Sequence, residues 1–209
     1  MVSVSCSAKD YKKITKKFYD KHAKDYEKNL TEEFEKLLEN DRDLFLKSLK
    51  GKRILDVGSG PDRDSLYFKN KGFEPLCIDF SGKMIDICRK KELNAKVMDI
   101  ENMDFSDNSF DGIWAYTSLI HIPKNKVKRV IEKIYKMLRP KGVFFIGMTE
   151  GSSEIIEEDD KYPGEKKFKA LYKEKELVSL LSDYFEVIKM TRIEFPNKNY
   201  INILCKSKK

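Results

Sequence analysis

The sequence predicts an α/β chain built on a doubly wound, mostly parallel seven-stranded sheet, with N-terminal helices and a C-terminal antiparallel hairpin. Three observations predict it. Between Gly51 and Thr149, short apolar runs of strand length alternate with segments of helical period. Those runs are almost continuously apolar, as strands covered on both faces are. Finally, two β-rich runs near the end, "FEVIKMTRIEF" and "NYINILCKSK", are separated only by "PNK", so the second must reverse against the first.

The elements follow in order. Residues 9–49 read as two helices. Tyr11, Ile14, Phe18, His22, Tyr26 and Leu30 recur at three- and four-residue steps, and Phe34, Leu37, Leu38, Phe45 and Leu49 repeat the pattern after Thr31, an expected N-cap. "KRILDV" is the first strand, and "SLYFKNKG" a helix that closes on Gly72. "FEPLCID" is the second strand, after which Ser81 caps "GKMIDICRKK". "AKVMD" and "SFDGIWAY" are the third and fourth strands. Pro123 opens a helix whose Val127, Val130, Ile131, Ile134 and Leu138 share one face; "RPKG" ends it and "VFFIGMT" is the fifth strand. "EKELVSLLSDY" is the last helix. No internal repeat or linker divides residues 1–209, so a single domain is expected, with 1–50 as a helical cap. The connection 149–172 is long for a plain loop, and is expected to act as a lid or substrate loop. Tyr162, Phe168 and Tyr172 would give it an aromatic wall or pack it onto the body.

With 209 residues, 40% hydrophobic and 11% aromatic, the chain can bury one core and falls outside the disordered class. Its first residues, "MVSVSCSAKD", lack a basic start and an apolar stretch, so no secretory signal is expected, and no later run is long enough to span a bilayer. A soluble, cytoplasmic protein is the expectation. Cys6, Cys77, Cys88 and Cys205 are scattered without C-x-x-C spacing, which argues against a structural zinc and for reduced thiols; no metal is expected. The net charge of +7 permits binding to RNA phosphates. The alternative is a lysine-rich soluble surface, favoured because arginine–aromatic interleaving is missing.

The chemistry concentrates in "ILDVGSGPDRDS". Gly58 and Gly60 allow a tight turn and close approach of a ligand to the backbone, and the helix that follows offers unpaired N–H groups. Asp79 ends the second strand about twenty residues later, where an acid can hold both ribose hydroxyls. Asp99 ends the third strand and Tyr116 the fourth. Parallel strands bring all of these to one rim.

The segments "ILDVGSGPDRDS", "PLCIDFSGKMIDICRKK", "AKVMDIENMDFSDNSFDGIWAYTSLIHIP" and "IYKMLRPKGVFFIGMTE" resemble, in order and spacing, the class I S-adenosylmethionine-dependent methyltransferases of the compact small-molecule type. The likeness extends over about residues 15 to 205 and implies a Rossmann-like methyltransferase fold. "FYDKHAKDYEKN" is similar to the N-terminal helix that covers the cofactor in many members. The resemblance implies S-adenosyl-L-methionine as cofactor and assigns roles position by position. Asp56 and the turn Gly58, Ser59, Gly60 would lie under its methionine part. Asp79 would hold the ribose, with Phe80 and Met84 beside the adenine. Asp99 would meet the adenine amino group and Ile100 would pack on the ring. Ala115, Tyr116 and Thr117 would line the path to the acceptor. Tyr19 and Tyr26 would close the pocket or simply pack.

Asp62 departs from the pattern, since the family carries glycine there. A carboxylate beside the cofactor's own would weaken binding. Asp62 is expected to cap the following helix with its side chain turned inward; otherwise Arg63 offsets its charge or the cofactor shifts. Methyl transfer mainly requires alignment and exclusion of water. His121 and Tyr116 are the catalytic candidates, His121 as a base if the acceptor must lose a proton, with a structural hydrogen bond as its other reading. A small-molecule acceptor is expected. A tRNA or rRNA acceptor and a catalytically degenerate binding protein on the same fold are the alternatives.

Overall fold

The computed structural model describes residues 10–28, 32–159, 161–195 and 198–209. Cys6, Leu30, the expected Thr31 cap and part of the "PNK" reversal lie outside them. The elements are α1 (Asp10–Lys28), α2 (Glu32–Ser48), β1 (Arg53–Val57), α3 (Arg63–Asn70), β2 (Glu74–Asp79), α4 (Gly82–Lys90), β3 (Asn94–Val97), β4 (Phe110–Tyr116), α5 (Lys124–Met137), β5 (Leu138–Thr149), β6 (Glu154–Asp159), β7 (Tyr162–Ala170), α6 (Glu174–Ser182), β8 (Phe185–Phe195) and β9 (Lys198–Ser207).

Seven strands form one sheet in the order β3-β2-β1-β4-β5-β9-β8. The first five are parallel, β9 runs antiparallel to β5, and β8 antiparallel to β9. The strand order turns back between β1 and β4, which is where an open α/β sheet leaves a crevice beyond its carboxyl ends.

Period-two alternation explains why both faces are covered. Leu55, Val57, Ile113, Ala115, Phe144 and Ile146 point to one side and join the buried face of α5 through Val127, Val130, Ile131 and Ile134. Ile54, Trp114, Tyr116, Val143 and Phe145 point to the other and meet Leu38 and Phe45 of α2 and Phe68 of α3. Trp114 stacks on Phe145 with ring centres 3.7 Å apart and meets Phe45 and Phe68 edge-on. Such an aromatic cluster is costly to empty, at about 3–5 kcal/mol for a large ring cut to alanine.

Two expectations need correction. Leu138 does not extend the buried stripe of α5; it is the first residue of β5, which begins before the "RPKG" turn and follows directly on the helix. Leu37 is 43% exposed and leaves the stripe of α2 to Leu38 and Phe45. Residues 149–172 carry regular structure of their own. They contain the antiparallel hairpin β6–β7, in which Glu157 and Asp159 pair with Lys169 and Lys167. An acid-rich run followed by a lysine-rich run in "EIIEEDDKYPGEKKFK" carried that signal: charges opposed across a two-stranded ribbon stabilise it.

Candidate functional site

A cavity opens at the carboxyl ends of β1, β2 and β4, roofed by α1, and holds about 1050 Å³ including the open mouth.

The turn after β1 forms its floor. Gly58 has φ +70, and a Cβ there would stand 2.3 Å from Ser118 Cβ, so only glycine fits. The amides of Gly58 and Ser59 are held by the Ile78 carbonyl at 2.7 and 3.0 Å, which locks the turn against β2. Asp79 stands beside it. One of its oxygens accepts the Gly60 amide at 3.1 Å and the other the Ser81 amide at 2.8 Å. Burial pushes its carboxyl up to about 6, partly opposed by those two amide bonds. Two amide bonds leave acceptor sites on both oxygens for a pair of hydroxyls. Phe80, Met84 and Ile100 supply the apolar walls.

Asp56 and Asp64 sit deeper. Burial, with the Cys77 thiol and Asp64 beside it, raises the Asp56 carboxyl well above its usual range, and Ser65 donates to it at 2.8 Å. Asp64 behaves oppositely. Burial pushes it up, but the guanidinium groups of Arg63 and Arg42 outweigh burial and hold it at about 2. It also accepts the Trp114 indole at 3.0 Å. Arg63 lies 5.1 Å over the Tyr116 ring and completes that wall.

Helix α1 closes the top. Lys12 reaches Asp99 at 2.6 Å and Glu101 at 2.9 Å, Tyr11 donates to Glu101, and Ser81 donates to Asp20 at 2.7 Å. Tyr19 lies 2.8 Å from His121 Nε2. His121 Nδ1 lies 2.7 Å from the Phe168 carbonyl in β7.

Of the residues singled out in the sequence, Asp56, Gly58, Ser59, Gly60, Asp79, Phe80, Met84, Asp99, Ile100, Tyr116, Thr117, His121, Tyr19 and Tyr26 all line this one cavity. Ala115 does not. Strand alternation turns it into the core beside Ile113 and Ile146, away from its neighbour Tyr116. Tyr162, Phe168 and Tyr172 do not line it either. Tyr162 stacks on His22 at 3.8 Å, and Phe168 packs on Tyr11 at 5.2 Å.

Asp62 is not the side-chain cap expected. It makes no cap hydrogen bond, its φ is +114, and its carboxylate pairs with Lys91 beyond α4 at 2.8 Å. It is absent from the cavity lining, so its charge does not face the ligand space. Ser81 does cap α4, accepting the Met84 amide at 3.3 Å. Tyr11, Lys12, Thr15, Asp64, Ser118 and Ile122 line the cavity without having been singled out. Lys12 and Thr15 project from α1 one turn apart, a face that looked like ordinary solvated helix. Among the described residues, no group of three His, Cys, Asp or Glu side chains could hold a metal. None of the described helices is long and apolar enough to cross a membrane.

Comparison with known proteins shows what the chain is similar to. Residues 55–146, the span from β1 into β5, match the family model described as a methyltransferase domain. A malonyl-[acyl-carrier protein] O-methyltransferase of Enterobacter lignolyticus is 29% identical over 93 residues, covering 44% of this chain and 36% of that protein. A phosphoethanolamine N-methyltransferase of Plasmodium falciparum is 27% identical over 100 residues, covering 45% and 38%. The matched region is thus well under two thirds of these relatives' length. In fold, the Burkholderia thailandensis 1,6-didemethyltoxoflavin-N1-methyltransferase, solved with bound 1,6-didemethyltoxoflavin and S-adenosylhomocysteine, is similar with a TM-score of 0.80 at 17% identity. The match covers 100% of this chain and 94% of that one. The [4+2]-cyclase SpnF is similar with a TM-score of 0.62 at 17% identity, covering 80% of each chain. Residues 55–146 thus carry the methyltransferase-domain match, and the chain as a whole shares the fold of these methyltransferases.

Proposed function

We propose that this protein transfers a methyl group from S-adenosyl-L-methionine to a small-molecule acceptor. A cyclase on the same fold shows that architecture alone does not fix the chemistry, so the reading rests on the site. One observation carries it: Asp79, the last residue of β2, and Asp99, which lies two residues beyond β3 and not in the strand, face one cavity together with the Gly58–Gly60 turn.

The residues present fit that cofactor. The Asp79 carboxylate, held by two amides, suits the two hydroxyls of a ribose. Phe80, Met84 and Ile100 form an apolar slot for a planar base, and Asp99 stands at its edge, where Lys12 and the Glu101 amide also reach it. The Gly58–Gly60 turn and Asp56 would hold the amino-acid end. When bound, the cofactor supplies an electrophilic methyl on a sulfonium. The chain's own part is alignment and the exclusion of water. Tyr11, Thr15, Tyr19, Tyr116 and Ile122 wall the remaining space, which α1 roofs. A small, largely aromatic recess of this kind supports a metabolite acceptor rather than a polynucleotide.

Incubation with cofactor labelled in its methyl group and an extract of the source cells tests this. Label in the small-molecule fraction supports the proposal. Label in RNA replaces the acceptor class, and intact cofactor binding without labelled product supports the non-catalytic alternative.

A further inference from the structure

Helix α1 touches both flanks of the cavity. On the cofactor flank, Lys12 holds Asp99 at 2.6 Å, and Asp20 accepts the Ser81 hydroxyl at 2.7 Å, next to Asp79. On the other flank, Thr15 Oγ1 accepts the Phe168 amide at 3.1 Å and Tyr11 packs on the Phe168 ring. His121 stands where the flanks meet, with Tyr19 of α1 on one ring nitrogen and Phe168 of β7 on the other.

Elementary hydrogen-bond chemistry fixes the direction of this bridge. A carbonyl can only accept, so the proton is on Nδ1 and is donated to Phe168. In a neutral ring Nε2 is then the acceptor, and the Tyr19 hydroxyl donates to it. The ring is neutral: burial pushes its pKa down to about 3, with the bond to Phe168 opposing and Lys167 and Lys169 on β7 adding to the drop. Its one lone pair is occupied, so it is poorly placed to take a proton from an acceptor.

We propose that His121 is a positioning residue that couples cofactor binding to ordering of the β6–β7 hairpin, through Tyr19 on one side and the Phe168 carbonyl on the other. The inference rests on the cofactor reading of the site. Cofactor settles α1 through the residues around Asp99 and Ser81. Tyr19 then fixes the imidazole, and the imidazole holds the hairpin that lies along α1. The hairpin therefore becomes ordered after the cofactor is in place.

Amide hydrogen exchange on the whole protein tests this with S-adenosylhomocysteine as the probe. In the native chain the probe should slow exchange in both 10–28 and 162–170. In His121→Phe, which keeps a ring but loses both bonds, and in Tyr19→Phe, only 10–28 should respond, and 162–170 should exchange about tenfold faster. His121→Gln should restore the response, because its amide N–H donates to Phe168 and its oxygen accepts from Tyr19. A base could not be rescued by glutamine.

Full hairpin protection in a folded His121→Phe protein would overturn the proposal, as would failure of glutamine to rescue. With only two histidines in the chain, imidazole nitrogen NMR gives an independent check. A proton on Nδ1 of His121 is expected; one on Nε2 contradicts the bridge. Probe binding without any hairpin response defeats this inference alone, whereas no probe binding defeats the cofactor reading and the coupling with it.

Discussion

Replacing Asp62 by glycine separates two roles that an acid at this turn could have. The residue sits at φ +114 and ψ −11, beyond the left-handed well that aspartate tolerates. Holding a side chain there costs about 1–3 kcal/mol. Glycine removes that strain but loses about 0.5–1 kcal/mol through its freer unfolded chain. It also loses the pair with Lys91, whose side chain is 35% exposed, and such a pair is worth about 0–1 kcal/mol. Burial raises the Asp62 carboxyl despite Lys91, so the charge itself gives folding little. The balance is a gain of about 1 kcal/mol, or about 2–4 °C in Tm for a domain of this size. Asp62→Ala keeps the strained φ and loses the pair, so it should melt no higher than the native protein. Because the carboxylate faces Lys91 and not the cavity, S-adenosylmethionine affinity should change by less than about twofold in Asp62→Gly. Thermal unfolding and calorimetric titration of the three proteins read both effects. A glycine variant that melts lower refutes the strain argument. A tenfold tighter affinity shows that the acid does reach the cofactor's path.

Three further outcomes follow from the site. Gly58→Ala places a Cβ against Ser118 at φ +70 and should cost about 3 kcal/mol in urea unfolding while abolishing cofactor binding. Cofactor affinity should be flat above pH 7 and weaken about tenfold per unit below the Asp79 value of about 6. The sign follows because ribose hydroxyls need the ionised carboxylate as acceptor, and the free protein takes up a proton below that pH; unchanged affinity at pH 5 would contradict it. His121 folds neutral with a pKa of about 3, below its ordinary unfolded value of about 6.5. The unfolded chain therefore binds the extra proton, and stability is lost as pH falls below 6.5, by about 2 kcal/mol down to pH 5. His121→Gln should lack that component when the two proteins' denaturation midpoints are compared across the range.

How much of this was legible depended on the range of the signal. Strand–turn–helix repetition is local, so the seven-stranded sheet and the rim carrying Gly58, Asp79 and Asp99 could be read before any coordinates. The β6–β7 hairpin was harder, because its pairing lies in charges opposed across strands and not in an apolar alternation. Ala115 was misplaced because a motif read as a string ignores that adjacent strand residues face opposite sides. Asp62 was misread for a related reason: side-chain capping is a local preference, whereas its partner Lys91 is 29 residues away. Lys12 and Thr15 reach the cavity only through the docking of α1, which no local pattern encodes.

The central claim is that these separated acids and glycines form an adenosyl site. Titrating the native chain and Asp79→Ala with S-adenosylmethionine tests it most directly. Loss of two charge-assisted hydrogen bonds, each worth about 1.5–3 kcal/mol, predicts at least about a hundredfold weaker binding in the variant, with the native chain saturating at one site. Equal affinity in the two proteins, or no binding by the native chain, would contradict the account.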